Sequence, residues 1–91
     1  MKYFDWDKKK NEYLKTTRDL CFEDVVAAID NGQLLDTLEH PNQTRYPNQQ
    51  IYIVNINGYA YVVPFVEDKE KCFLKTIFPS RKMTEKYIIK D

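Results

Sequence analysis

An α+β sandwich, with helices packed on a meander sheet, is the fold class predicted by this 91-residue chain. Three observations predict it. Up to Gly32 the apolar residues recur at helical spacing. From Gln50 to Val66 two β-rich runs flank Asn57-Gly58, a two-residue hairpin turn. A strand-like run near the end then passes through Phe78-Pro79-Ser80 into a last helix.

Tyr3-Phe4-Asp5-Trp6 is a short aromatic segment and reads as an edge strand. Asp7 follows as a helix cap, because its carboxylate can accept from free N–H groups. The first helix spans about 7–17. Trp6, Lys10, Tyr13, Leu14 and Thr17 lie on one side of it, a thin apolar stripe. Phe22, Val25, Val26 and Ile29 keep the i, i+3, i+4, i+7 spacing and form the core-facing stripe of a second helix. Asn31-Gly32 stops that helix, since glycine enters the left-handed conformation freely.

The period then changes. Leu34 to Glu39 alternates loosely and reads as a strand. The polar stretch 40–49, with two prolines, reads as a long loop. The hairpin strands cover Gln50–Ile56 and Tyr59–Val66, and Cys72–Phe78 is the next strand. The last helix covers roughly 81–90, with Ser80 as its cap and Met83, Tyr87 and Ile88 facing in. The predicted order is therefore β-α-α-β-β-β-β-α in one domain, 1–91.

The hairpin turn fixes a register. Ile56 faces Tyr59, Val54 faces Tyr61 and Tyr52 faces Val63, all on one side of the sheet. Ile51, Ile53, Ala60 and Val62 share the other side with Asn55 and Pro64. The second set is expected to be the helix-packed core. The first, with its three tyrosines, is either a partly covered face that stacks bases or meets a partner, or the second side of a small core.

Fourteen basic and fourteen acidic residues give zero net charge, which excludes bulk attraction to nucleic acid. Local clusters remain: Lys8-Lys9-Lys10 near the start, and Lys75, Arg81, Lys82 and Lys86 near the end. Two cysteines, Cys21 and Cys72, make no disulfide framework and have no metal-type spacing. The charged start has no apolar signal core, and no apolar run approaches a membrane span. A soluble cytoplasmic protein with no metal, cofactor or membrane partner is expected.

Arg81 and Lys82 open the last helix, where cations are unfavourable by roughly 0.3–1 kcal/mol each at an exposed site. They either point into water or meet an anion such as a phosphate. His40 is the only histidine, a residue type that can act as acid or base, with Glu39 beside it as a possible orienting group. Arg45 and Tyr46 share its loop. Lys75 points to the opposite sheet face from Leu74 and Thr76. Tyr87 offers a hydroxyl, although its spacing from Met83 also suits core packing.

Several fragments in order resemble one family. They are Phe4-Asp5-Trp6-Asp7 with Lys9 and Asn11, then Phe22-Glu23-Asp24-Val25-Val26, then the meander, then Ile77-Phe78-Pro79-Ser80-Arg81-Lys82 and Tyr87. Together they resemble the BrnT-type toxins of bacterial type II toxin–antitoxin pairs. The subgroup with a His-Pro-Asn loop and a Val-Pro-Phe-Val strand is nearest, here His40-Pro41-Asn42 and Val63-Pro64-Phe65-Val66. The resemblance implies a RelE/ParE-like fold and metal-independent RNA cleavage that blocks translation and arrests growth. It also implies a cognate antitoxin that covers the toxin, represses the operon and mediates any oligomer. In this reading the catalytic candidates are Arg81, His40 and Lys75, and the RNA-binding candidates are Arg45, Tyr46, Lys82 and Tyr61. Cys21 stands where many members have serine, so the second helix is expected to start without a strong side-chain cap. A histidine of the family pattern is also missing before that helix. The alternative is therefore a toxin-like module without catalysis, such as a gyrase inhibitor or an operon-regulating partner.

Overall fold

The computed structural model describes residues 2–89. Strand β1 (Tyr3–Trp6) leads into helix α1 (Lys8–Arg18) and helix α2 (Phe22–Asp30). Strands β2 (Leu34–Glu39), β3 (Gln49–Ile56), β4 (Tyr59–Glu67), β5 (Lys71–Leu74) and β6 (Phe78–Pro79) follow. The chain ends in α3 (Arg81–Thr84), which continues as a π-helical stretch, Glu85–Ile89. Lys90, expected in that helix, lies outside the described residues. No helix among the described residues is long and apolar enough to cross a membrane.

The sheet runs β1-β5-β4-β3-β2, with β6 also on β4. Strands β2 to β5 form the expected antiparallel meander, but β1 joins β5 in parallel, so the sheet is mixed. The parallel register runs Trp6 beside Leu74. That delivers the chain to α1 over the core, where Trp6 stacks on Phe22 at 5.6 Å. The β3–β4 hairpin has the expected register. Asn57 (φ 55°) and Gly58 (φ 85°) are both left-handed, as a type I′ turn requires.

Strand β5 is shorter than the sequence predicts, and the reason is Pro64. Its carbonyl accepts from Lys75 N–H at 2.8 Å, so its nitrogen faces the same side. That nitrogen has no hydrogen to return, and the ladder stops after Leu74. Residues 75–77 then span the gap that 63–64 cover on β4, one residue more, before β6 pairs at Val62 and Tyr61. The extra residue is a bulge. It resets the alternation so that Leu74 and Ile77, three apart, both enter the same core.

Both sheet faces are covered, and the larger core is on the face opposite to the one expected. Val54 and Val63 pack with Leu14, Phe22, Val25, Phe65, Leu74 and Ile77 under α1 and α2, and Tyr52, Ile56 and Tyr61 border them. Tyr52 stacks on Phe65 at 3.8 Å. Ile53, Ala60 and Val62 form a smaller core under Met83, Tyr87 and Ile88. Small residues such as Ala60 let the short last helix sit close, while the bulky face receives two helices.

Helix α1 turns a different side inward than its apolar residues suggest. Tyr13 is exposed, whereas Asn11 is buried beside Leu14. Asn11 Oδ1 accepts from Phe22 N–H at 2.7 Å and its Nδ2 donates to Glu23 at 2.8 Å. The first free N–H of α2 is thus satisfied from α1. Asp24 completes the start by accepting from Cys21 N–H at 3.2 Å. This is how α2 begins without a serine cap.

Replacing Asn11 with Ala leaves the buried Phe22 N–H without a partner. Chemical denaturation of this variant is expected to show a loss of about 1–3 kcal/mol. A loss within the noise of a surface substitution would contradict the clasp.

Candidate functional site at the β6–α3 corner

The bulge delivers the chain to a corner of the sheet. Ser80 N–H donates to Ala60 O at 3.0 Å. Thr84, buried, accepts from Ala60 N–H at 2.9 Å and donates to Ser80 O at 2.8 Å. The last residue of α3 thereby completes the ladder of β4 through its side-chain hydroxyl. Ser80 Oγ caps it, accepting from Met83 N–H at 3.2 Å.

Arg81 and Lys82 therefore sit on a fixed turn, both exposed. Arg81 Nε lies 3.6 Å from Glu85 Oε1, one turn on. Both partners are open to water, so the pair is weak and exchangeable.

Beside this turn is a cavity of about 540 Å³ lined by Arg18, Leu20, Tyr61, Phe78 and Pro79. Arg18 ends α1, where Asp19 takes a left-handed conformation (φ 54°) and turns the chain. Its Nη1 donates to Ile77 O at 2.8 Å, on the bulge. One guanidinium nitrogen is thus held, and the residue also lines the cavity. Phe78 is 40% exposed at the rim. Tyr61 lies opposite Pro79 and meets Tyr59 edge to face at 5.9 Å. The cavity thus joins a guanidinium and aromatic rings, and the two cations of α3 follow Pro79 and Ser80 in the chain.

A second cavity, of about 290 Å³, lies between α2 and the hairpin turn. Its lining includes Asp19, Asp24, Asn31, Gln33, Asn55 and Asn57. Two carboxylates make it unsuitable for an anionic ligand.

The remaining candidates lie elsewhere. His40 Nδ1 accepts from Asn42 N–H at 3.0 Å, so Asn42, and not the expected Glu39, orients the ring. The ring packs on Tyr46 at 4.5 Å, and Arg45 lies over Tyr46 at 5.6 Å. His40, Arg45 and Tyr46 are one cluster. It sits where His40 N–H donates to Gln49 O, whereas Ser80 is bonded at Ala60, opposite Asn55. Six residues of strand separate the two sites, about 20 Å. His40 and Arg81 therefore do not share one scissile bond. Lys75 is apart from both. It is exposed just past the end of β5, its Nζ 5.7 Å from the Phe73 ring, and Lys71 Nζ lies 5.8 Å from the same ring.

Arg18 was not among the residues singled out by the sequence, because its partner is 59 positions away. Its only local signal is the chain turn at Asp19-Leu20. Two further groups are structural. Tyr87 donates to Asp36 at 2.6 Å and ties the last helix to β2. This bond holds the Asp36 carboxyl below its usual range and raises the Tyr87 hydroxyl. Burial raises the Cys72 thiol and the Tyr52 hydroxyl, which lie 3.7 Å apart, and keeps that thiol unreactive.

Compared with protein-family models, with curated proteins and with solved structures, the chain gives no match.

The Asp36–Tyr87 bond sets a pH dependence. Asp36 is depressed on folding, so its contribution is present at neutral pH and is lost as pH falls through the acid range below about 3.9. Tyr87 is raised, so its contribution is lost as pH climbs past about 10. Melting curves of wild type and Tyr87→Phe are expected to differ at neutral pH and to converge at both extremes. Equal melting temperatures at neutral pH would contradict the assignment.

Proposed function

We propose that this protein is the toxin of a type II toxin–antitoxin pair and acts on RNA at the β6–α3 corner. One observation carries the reading: Arg18, Tyr61 and Phe78 line a cavity whose last lining residue, Pro79, stands two positions before the exposed Arg81. A single RNA strand needs cations along its backbone and π-faces for its bases, and this corner offers both. The surface is local, which suits a chain of zero net charge. The motif resemblance supports the same reading, and it implies the RelE/ParE-like fold and the antitoxin partner.

The chemistry follows from the groups at hand. The Arg81 fork matches two phosphate oxygens. A phosphate drawing Arg81 away frees Glu85, the carboxylate nearest to it. Glu85 takes the proton of the 2′-hydroxyl, and the 2′-oxygen attacks phosphorus. The bond to the 5′-oxygen breaks, and that oxygen takes a proton from water. The products are a 2′,3′-cyclic phosphate and a 5′-hydroxyl. Lys82 adds charge beside the crowded phosphate.

A second reading is RNA binding without cleavage. The separation of His40 from Arg81 favours it, because the corner lacks a histidine.

Purified protein is expected to cleave single-stranded RNA in EDTA and leave cyclic phosphate ends. Glu85→Gln is expected to lower the rate by about 10²–10⁴-fold with binding retained, and Arg81→Ala to lose cleavage and growth arrest while staying folded. Intact RNA with tight binding would select the second reading. Neither cleavage nor binding, of free or ribosomal RNA, would overturn both.

A further inference from the structure

We infer that the cavity between α1 and β6 receives one unpaired guanine base of the bound strand. This deepens the RNA reading above and rests on it. The cavity volume of about 540 Å³ is in the range of small-ligand sites and is ample for a purine. Its lining is apolar and aromatic apart from Arg18 and the Tyr61 hydroxyl. Phe78 is large, apolar and 40% exposed at the mouth, a surface that a base plane can cover.

Arg18 supplies the choice of base. A guanidinium has five N–H donors and no acceptor. One donor is held by Ile77 O at 2.8 Å, which anchors the group at the cavity before any ligand arrives. The free donors require a ligand edge with two adjacent acceptors. Guanine offers O6 and N7 side by side, the edge that arginine recognises through two bonds. Adenine puts the N6 donor beside N7, so one of the two bonds fails. Uracil presents one carbonyl at the corresponding edge.

The bulge makes this geometry possible. Ile77 turns its side chain into the core while its carbonyl holds Arg18. Phe78 and Pro79 follow directly and form the opposite wall. The next residues are Ser80 and Arg81, so the proposal seats the base beside a strand whose neighbouring phosphate meets Arg81. The site therefore reads the base beside the bond that is cut.

The test uses short fluorescent oligouridines carrying one guanine, adenine or cytosine, with 2′-O-methyl riboses to block cleavage. Binding is measured by anisotropy. The guanine oligomer is expected to bind about tenfold tighter than the others. Phe78→Ala, at an exposed position, is expected to weaken all binding. Arg18→Lys keeps the charge but loses the fork, and is expected to bind the guanine, adenine and cytosine oligomers alike. Circular dichroism establishes that both variants are folded. Equal binding of all oligomers, or a preference for another base, would overturn the guanine site and leave the RNA reading standing. Absence of binding to any oligomer would overturn both.

Discussion

A missing hydrogen governs this molecule. Pro64 lies in β4, a strand paired on both sides, and has no N–H to give to β5. The ladder ends at Leu74, and one extra residue is accommodated before pairing resumes. Much of the corner follows from that bulge. Ile77 turns into the core, its carbonyl faces Arg18, and Phe78 and Pro79 reach the cavity wall. The same shift delivers Ser80 to Ala60, where Thr84 completes the ladder with its hydroxyl. A proline in a central strand weakens a sheet, and here it is found with the candidate site beside it.

The two-sided sheet restricts where function can sit. Helices α1 and α2 cover one face, and the last helix covers much of the other. The buried Asn11 joins α1 to the start of α2, so the first layer is tied together. What remains open is the corner, the 40–48 loop and the outer face of β5. Cations occur in all three, but a cavity with a fixed guanidinium occurs at the corner. Zero net charge then gives a defined surface rather than a diffuse attraction for anions.

Local signals were legible in the sequence, and long-range ones were not. Asn57-Gly58 set the hairpin register, because a two-residue turn with two left-handed positions allows little else. Ser80 was visible as a cap, and Phe22 and Val25 as core, because those roles depend on neighbours within one turn. Which sheet face took two helices was not legible, since both faces alternate equally well. Nor was the break in β5. Pro64 was in plain view, and the hairpin register turns its nitrogen away from β3, but which strand takes that side is decided by long-range pairing. Arg18 and Asn11 act on partners 59 and 11 positions away, and no spacing rule connects them. The cluster of Arg45 and Tyr46 with His40 was legible because all three share a loop. Its distance from Arg81 was not, because it is set by the length of β3.

The most direct test is to map RNA onto the labelled protein by NMR. Titration with a single-stranded, cleavage-resistant RNA should shift the Arg18 side-chain signal together with Tyr61, Phe78 and Ser80 to Lys82. Signals of residues 40–48 should stay in place. Shifts confined to His40, Arg45 and Tyr46, or none at saturating RNA, would contradict the account.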